Sequence, residues 1–258
     1  MVSRDELEKA FKEQLEKNQL IIKFGKKEHL EALQKGKLYM KNLRYYASLE
    51  EDGSGIPDNE EGLFVLDDIA FEMKKPGTSV TVLKGTAKKM KMDLYISQCP
   101  VFCMYSMDIR NLKNISICAD RCEISGEFVF DAIQKEKLPK LGNYALIVLD
   151  TEVFKKKLKD CLNHEKHKYI MDYVKYYENN TLEAVNAVIN GEDRIAFIKR
   201  KSKFEHQQEY RLYIKNCSVD DSLVLDIGDI SEITKIVSTN ELMDMQLIYK
   251  SQYCGKLK

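Results

Sequence analysis

Leu7, Phe11 and Leu15 recur at every fourth position of an otherwise charged opening. Ser3 and Glu6 stand where a capping box would start that helix, so residues 1–18 are predicted to form an N-terminal helix. The apolar run QLIIKFG predicts a short strand ending at Gly25. KKEHLEALQKG reads as a helix with Leu30 and Leu33 inward and Gly36 as its stop, and KLYM as the next strand. From Asn42 to Gly62 the acids, the glycines and Pro57, and the lack of any period predict loop. LFVLDDIAFEM, TSVTVLKGT, DLYISQCPVFCMYSM and KNISICAD then read as strands, EFVFDAIQKE as a short helix and YALIVLD as a strand. Residues 151–178 carry the longest helical pattern, with a break expected near Asn163. RIAFIKR, QEYRLYI and LVLDIG are late strands, followed by the shorter mixed elements ISEITKIVST and NELMDMQLIYKS. Short strands outnumber helices, and no repeat or long linker divides the chain. The expected fold class is α+β: a single domain over 19–258 of short, mainly antiparallel strands with several helices.

Composition narrows the partners. Forty-one acids balance 41 bases in 258 residues, so no global charge argues for nucleic acid or an anionic membrane, although a local basic patch stays open. No apolar run approaches the roughly 18 residues of a membrane span. The opening is too charged for a secretory signal, so a cytoplasmic location without membrane association is expected. In that setting the seven cysteines predict reduced thiols. Cys99 and Cys103, like Cys118 and Cys122, are spaced C-x3-C on strand pattern rather than in a knuckle turn. Buried, metal-free thiols are therefore expected, and no metal site is predicted. His29, His164 and His167 lie among charges and read as solvated. The acidic stretch Glu50–Glu61 lacks the spacing of a calcium loop and reads as a solvated loop or a flap beside a site.

The densest chemistry lies in KFEHQQEYR, directly before the apolar LYI. If a strand begins near His206, alternation places Gln207, Glu209 and Arg211 on one face and His206, Gln208, Tyr210 and Leu212 on the other. Gln207 and Glu209 would then face one cleft. The plain alternative is an edge strand with its polar groups in water.

A Gln-x-Glu at a strand start, late in an α+β chain, resembles the Q/E-x-E motif of mono-ADP-ribosyltransferases. The front of the chain is similar too: IIKFGKKEHLEALQKGKLYMKNLRYYAS carries a strand, Lys23-Phe24-Gly25, a helix, then Tyr45, Tyr46 and Ser48. The chain also resembles an uncharacterised bacterial and phage family with a QEYR signature and an IGDISEI-like stretch. Two departures stand out: Lys23 or Phe24 replaces the usual Arg or His, and no Ser-Thr-Ser element appears. The resemblance implies an ADP-ribosyltransferase-like fold that takes NAD as substrate. It implies Glu209 as the carboxylate that stabilises the ribosyl cation and Gln207 as the residue that orients the acceptor. It further implies that Lys23, Phe24, Gly25, Arg44, Tyr45, Tyr46, Ser48 and Arg211 contact NAD or orient Glu209. A toxin or phage-conflict role follows from the same resemblance, with a nucleic-acid or protein acceptor and an antitoxin or phage partner. A non-catalytic binding module on the same fold and an NAD glycohydrolase are the alternatives. Read as a surface residue, Glu209 is expected to tolerate Gln with little loss of stability.

Overall fold

The computed structural model describes residues 19–49, 58–107, 111–118, 123–178 and 180–250. The helix expected at 1–18 lies outside them. Strand β1 (Leu20–Gly25), helix α1 (Lys27–Gln34) and strand β2 (Lys37–Asn42) follow the hydrophobic pattern closely. Gly36 lies at φ 93° with the Gly228 backbone 2.7 Å from where a Cβ would stand, so both conformation and space demand glycine. The expected loop after β2 begins instead with a short helix, α2 (Leu43–Ser48). Asn42 caps it, accepting from the Tyr45 amide at 2.8 Å.

A long hairpin follows, β3 (Leu63–Lys74) with β4 (Thr81–Asp93). Then come β5 (Pro100–Met107), β6 (Leu112–Cys118), β7 (Glu123–Phe128), helix α3 (Ala132–Leu141) and β8 (Tyr144–Val148). DLYISQCPVFCMYSM is therefore not strand throughout, because Tyr95–Gln98 forms a 3-10 turn before β5. The long helical pattern also breaks where expected: α4 spans Thr151–His164, but the rest forms β9 (Lys168–Tyr173) and β10 (Lys175–Tyr177). Helix α5 (Asn180–Ile189), β11 (Ile198–Arg200), α6 (Lys201–Phe204), β12 (Glu209–Lys215), β13 (Ser222–Asp226), β14 (Thr234–Ser238), α7 (Thr239–Met243) and β15 (Gln246–Lys250) complete the order. The architecture is α+β, and all its described strand pairs are antiparallel except β10 with β11. No described helix is long and apolar enough to cross a membrane.

Strand β5 organises an eight-stranded sheet. On one side it pairs with β12, which pairs onward with β9. On the other side it changes partner along its length. Tyr105, Ser106 and Met107 pair with β1, which continues to β8 and β14. Pro100 and Val101 pair with β2, which continues to β13. The sheet therefore forks at residues 102–104 of β5.

Alternation along β5 divides the core. Phe102 and Met104 face a single large cluster with Ile21, Leu38 and Leu212, covered by α1 and α4. On the opposite face two clusters form. One gathers Phe24, Tyr105, Met107 and Leu138, the other Leu43, Val101, Ile195 and Tyr213. Between those two clusters the face is left open.

Candidate functional site

That opening is a cavity of about 460 Å³, within the usual range for a small-molecule site. Cys103 and Tyr105 of β5 lie at it, with Phe24 and Leu141 toward one apolar cluster and Tyr45, Tyr46 and Leu49 toward the other. Lys23 reaches it from the fork. Its ammonium donates to the Cys103 carbonyl at 2.7 Å and sits 4.7 Å from the Phe102 ring centre. Cys103 lies in the stretch where β5 exchanges one partner for the other, and Lys23 takes up its carbonyl there. Burial lowers the Lys23 pKa, with Cys103 and Glu209 acting against it.

The polar wall is a closed ring of four buried charges. Lys199, at the centre of β11, lies 2.7 Å from Glu209 Oε1 and 3.1 Å from Glu61 Oε2. Arg211, 1% exposed, donates from Nε to Glu209 Oε2 at 2.6 Å. Its terminal nitrogens clasp both oxygens of Glu61 at 2.7 and 3.0 Å, and one also meets the Ala196 carbonyl. Two acids and two bases thus cancel, and every carboxylate oxygen has a cation. Such a ring tolerates burial only when it is complete, because removal of one member strands the others in a low dielectric. Burial alone would raise the pKa of Glu209, but the charges of Arg211 and Lys199 outweigh it and hold the carboxyl well below its ordinary range. Burial likewise opposes the charge on Lys199, and Glu209 and Glu61 reverse that effect.

Local structure explains how these side chains meet. Glu209 and Arg211 share the face of β12 that carries Tyr213, as alternation predicts. Gln207 reaches the same place by a different route. It lies in a 3-10 turn, and Gln208, left-handed at φ 39° and ψ 52°, swings the chain into the strand. Lys199 Nζ consequently donates to Gln207 Oε1 at 3.1 Å as well as to Glu209. Tyr176 stands opposite Lys199 in the β10–β11 pair, and its hydroxyl accepts from the Glu209 amide at 2.9 Å. Glu61 arrives on the turn at 58–62. Gly62, at φ 67°, presses so near Leu43 that a Cβ would stand 2.9 Å from that side chain.

Other titratable groups here are tuned by burial. The Cys103 thiol is pushed up to about 11, which keeps it protonated and a poor nucleophile. Tyr46 and Tyr176 are raised for the same reason. Burial, with Glu61 adding to it, lifts Asp58 to about 6. His206 is buried with no partner for Nε2 among the described residues, and burial followed by the charges of Lys137 and Lys199 lowers it to about 4.

Of the residues singled out in the sequence, Lys23, Phe24, Tyr45, Tyr46, Gln207, Glu209 and Arg211 line this one cavity. Gly25, Arg44 and Ser48 are not among its lining residues. The Gly25 backbone lies against Gly142, where a Cβ would come within 2.2 Å of the Gly25 nitrogen. Arg44 is spent on Asp93 at the surface, and the Ser48 hydroxyl donates to the Tyr45 carbonyl. Glu61, Lys199 and Tyr176 were not anticipated, and Glu61 belongs to a stretch read as a solvated loop or a flap beside a site. Glu209 is itself buried, so it is not the surface carboxylate expected from the sequence, and Gln there is now expected to cost stability. Cys99 is a free thiol buried at the start of β5, and Cys103 is free at the cavity. The Cys118 side chain and Cys122 lie outside what is described. Among the described residues no set of three His, Cys, Asp or Glu side chains converges as metal ligands.

No family model, curated protein or solved structure matches the chain.

Proposed function

We propose that the cavity binds NAD through its nicotinamide and ribose, as the resemblance to mono-ADP-ribosyltransferases implies. The observation that carries this reading is the convergence of Gln207 and Glu209 with Lys23, Phe24, Tyr45 and Tyr46 on one cavity. The two groups come from opposite ends of the chain. When the nicotinamide–ribose bond breaks, its electron pair leaves with neutral nicotinamide and positive charge develops on the ribose carbon. A fixed, ionised carboxylate stabilises that charge and accepts a ribose hydroxyl proton in a hydrogen bond. Glu209 has the required ionisation, held by Arg211 and Lys199. Gln207 stands beside it to orient the acceptor. Tyr45, half-exposed at the rim, supplies a ring for the nicotinamide to stack on. Lys23, held by the Cys103 carbonyl and in no ion pair among the described residues, brings positive charge for phosphate. The same proposal extends to a toxin or phage-conflict factor with a nucleic-acid or protein acceptor and an antitoxin or phage partner.

One observation favours a second reading, a binding module without catalysis. Both oxygens of Glu209 are already held by cations, so its charge is largely spent inside the protein. Titration calorimetry with NAD and assay of free nicotinamide separate the two. Binding with nicotinamide release, both weakened by Tyr45→Ala in a folded variant, supports the transferase; release without any acceptor points to a glycohydrolase. Binding without release selects the module. Absence of NAD binding would remove the proposal.

A further inference from the structure

The hairpin β3–β4 pairs with no other described strand. Its base is anchored: Val65 is buried, Phe64 packs on an apolar cluster, and Lys89 and Lys91 reach Glu60 on the neighbouring turn. Beyond Ile69 it runs free, and residues 70–80 are all exposed. The five strand residues from Ala70 to Lys74 extend roughly 17 Å at the rise of a strand. Apolar side chains remain uncovered there, Val82 at 71% and Leu83 at 51% exposure.

The charge on this arm is one-sided. Met73–Met92 holds six lysines, Lys74, Lys75, Lys84, Lys88, Lys89 and Lys91, and no acid, in a chain whose acids and bases balance. The distal acid is Glu72, already contacted by Lys74 and Lys84. Lys75 and Lys88 have no ion-pair partner among the described residues. The tip, KKPGTSV, adds exposed Pro76 and Val80.

We propose that this ribbon is an arm that binds duplex DNA. Its lysines would contact phosphates while the tip enters a groove. Strands about 4.8 Å apart form a ribbon that fits a B-form major groove of about 12 Å. The deep, narrow major groove of duplex RNA does not admit it. A second copy of the arm would oppose lysine with lysine, whereas a polyanion releases counterions on binding. Exposed apolar residues at the tip suit contact with the thymine methyl groups that line the major groove. The inference is independent of what the cavity binds.

Fluorescence anisotropy with a labelled duplex of about 20 base pairs, titrated upward from about 50 mM salt, tests it. Wild-type protein should bind, with affinity falling steeply as salt rises. Lys75→Gln/Lys88→Gln should weaken binding roughly tenfold or more and reduce the log–log salt slope by about 2. Lys156→Gln/Lys159→Gln, on the exposed face of α4, should change neither. Failure of wild type to bind, or equal loss in both variants, would overturn the proposal. So would equal competition by duplex RNA, association with phosphatidylserine vesicles but not DNA, or a dimer sealed through the ribbon that binds no DNA.

Discussion

Glu209 illustrates how burial changes the meaning of a substitution. Gln preserves the shape but leaves Lys199 and Arg211 facing an uncharged amide. Breaking one member of a buried ion pair costs about 3–5 kcal/mol. Urea unfolding of Glu209→Gln should show a loss of that order, and a change below ~0.5 kcal/mol would mean the ring is not formed. Adding Lys199→Met to Glu209→Gln removes one charge of each sign. The double variant should therefore be more stable than the sum of the single effects by about 1–3 kcal/mol. Asp58 offers a pH test. Its carboxyl keeps its proton to about 6 in the fold, against a usual 3.8. The stability it contributes is thus complete below about pH 4 and lost as pH rises through about 6. Asp58→Asn should stabilise by on the order of 2 kcal/mol near pH 8 and have no effect near pH 4. His206 has the opposite slope: its pKa is lowered from 6.5 to about 4, so its contribution is present above 6.5 and lost as pH falls through about 4. In wild type the two slopes offset each other, and Asp58→Asn should expose the one from His206.

Among the elements, the entry to β12 depends on Gln208. A non-glycine residue at φ 39° is strained by about 1–2 kcal/mol, and a β-branched one more so. Gln208→Val should be less stable than Gln208→Gly by about 1–2 kcal/mol in thermal unfolding. Equal stability would show that the turn is not held. The same turn marks the limit of what periodicity reveals. Gln207 and Glu209 line one cavity, but the pleat places only Glu209 and Arg211. The unit β1–α1–β2 was legible because its apolar spacing changes cleanly from strand to helix and back. Residues 168–177 were not, since KYIMDYVKYY fits a helical spacing as well as a strand. Long-range pairing of β9 with β12 decides it. Tyr176 disappeared into that expected helix. Lys199 and Glu61 were invisible for another reason: a lysine in RIAFIKR and a glutamate among acids look solvated until partners 10 and 150 residues away in the chain are in place.

At the scale of the molecule the fork in the sheet makes β5 the strand on which everything else closes. It takes partners from residues 20–22, 41–42 and 209–213. In native-state hydrogen exchange its amides should open only with global unfolding, while those of the β3–β4 ribbon beyond Ile69 should exchange first. Exchange of β5 at lower urea than the global transition would contradict this organisation.

The same arrangement sets a schedule for the chain as it leaves the ribosome. β5 ends at Met107 and its partner β12 begins at Glu209, 102 residues later (209 − 107). At about 5–20 residues per second, one edge of that apolar strand waits for roughly 5–20 s before it can be closed. During that interval a nascent chain offers the open edge to any neighbour, including another chain on the same message. Slower translation between Met107 and Glu209 should lower the soluble yield, even though the finished protein is unchanged.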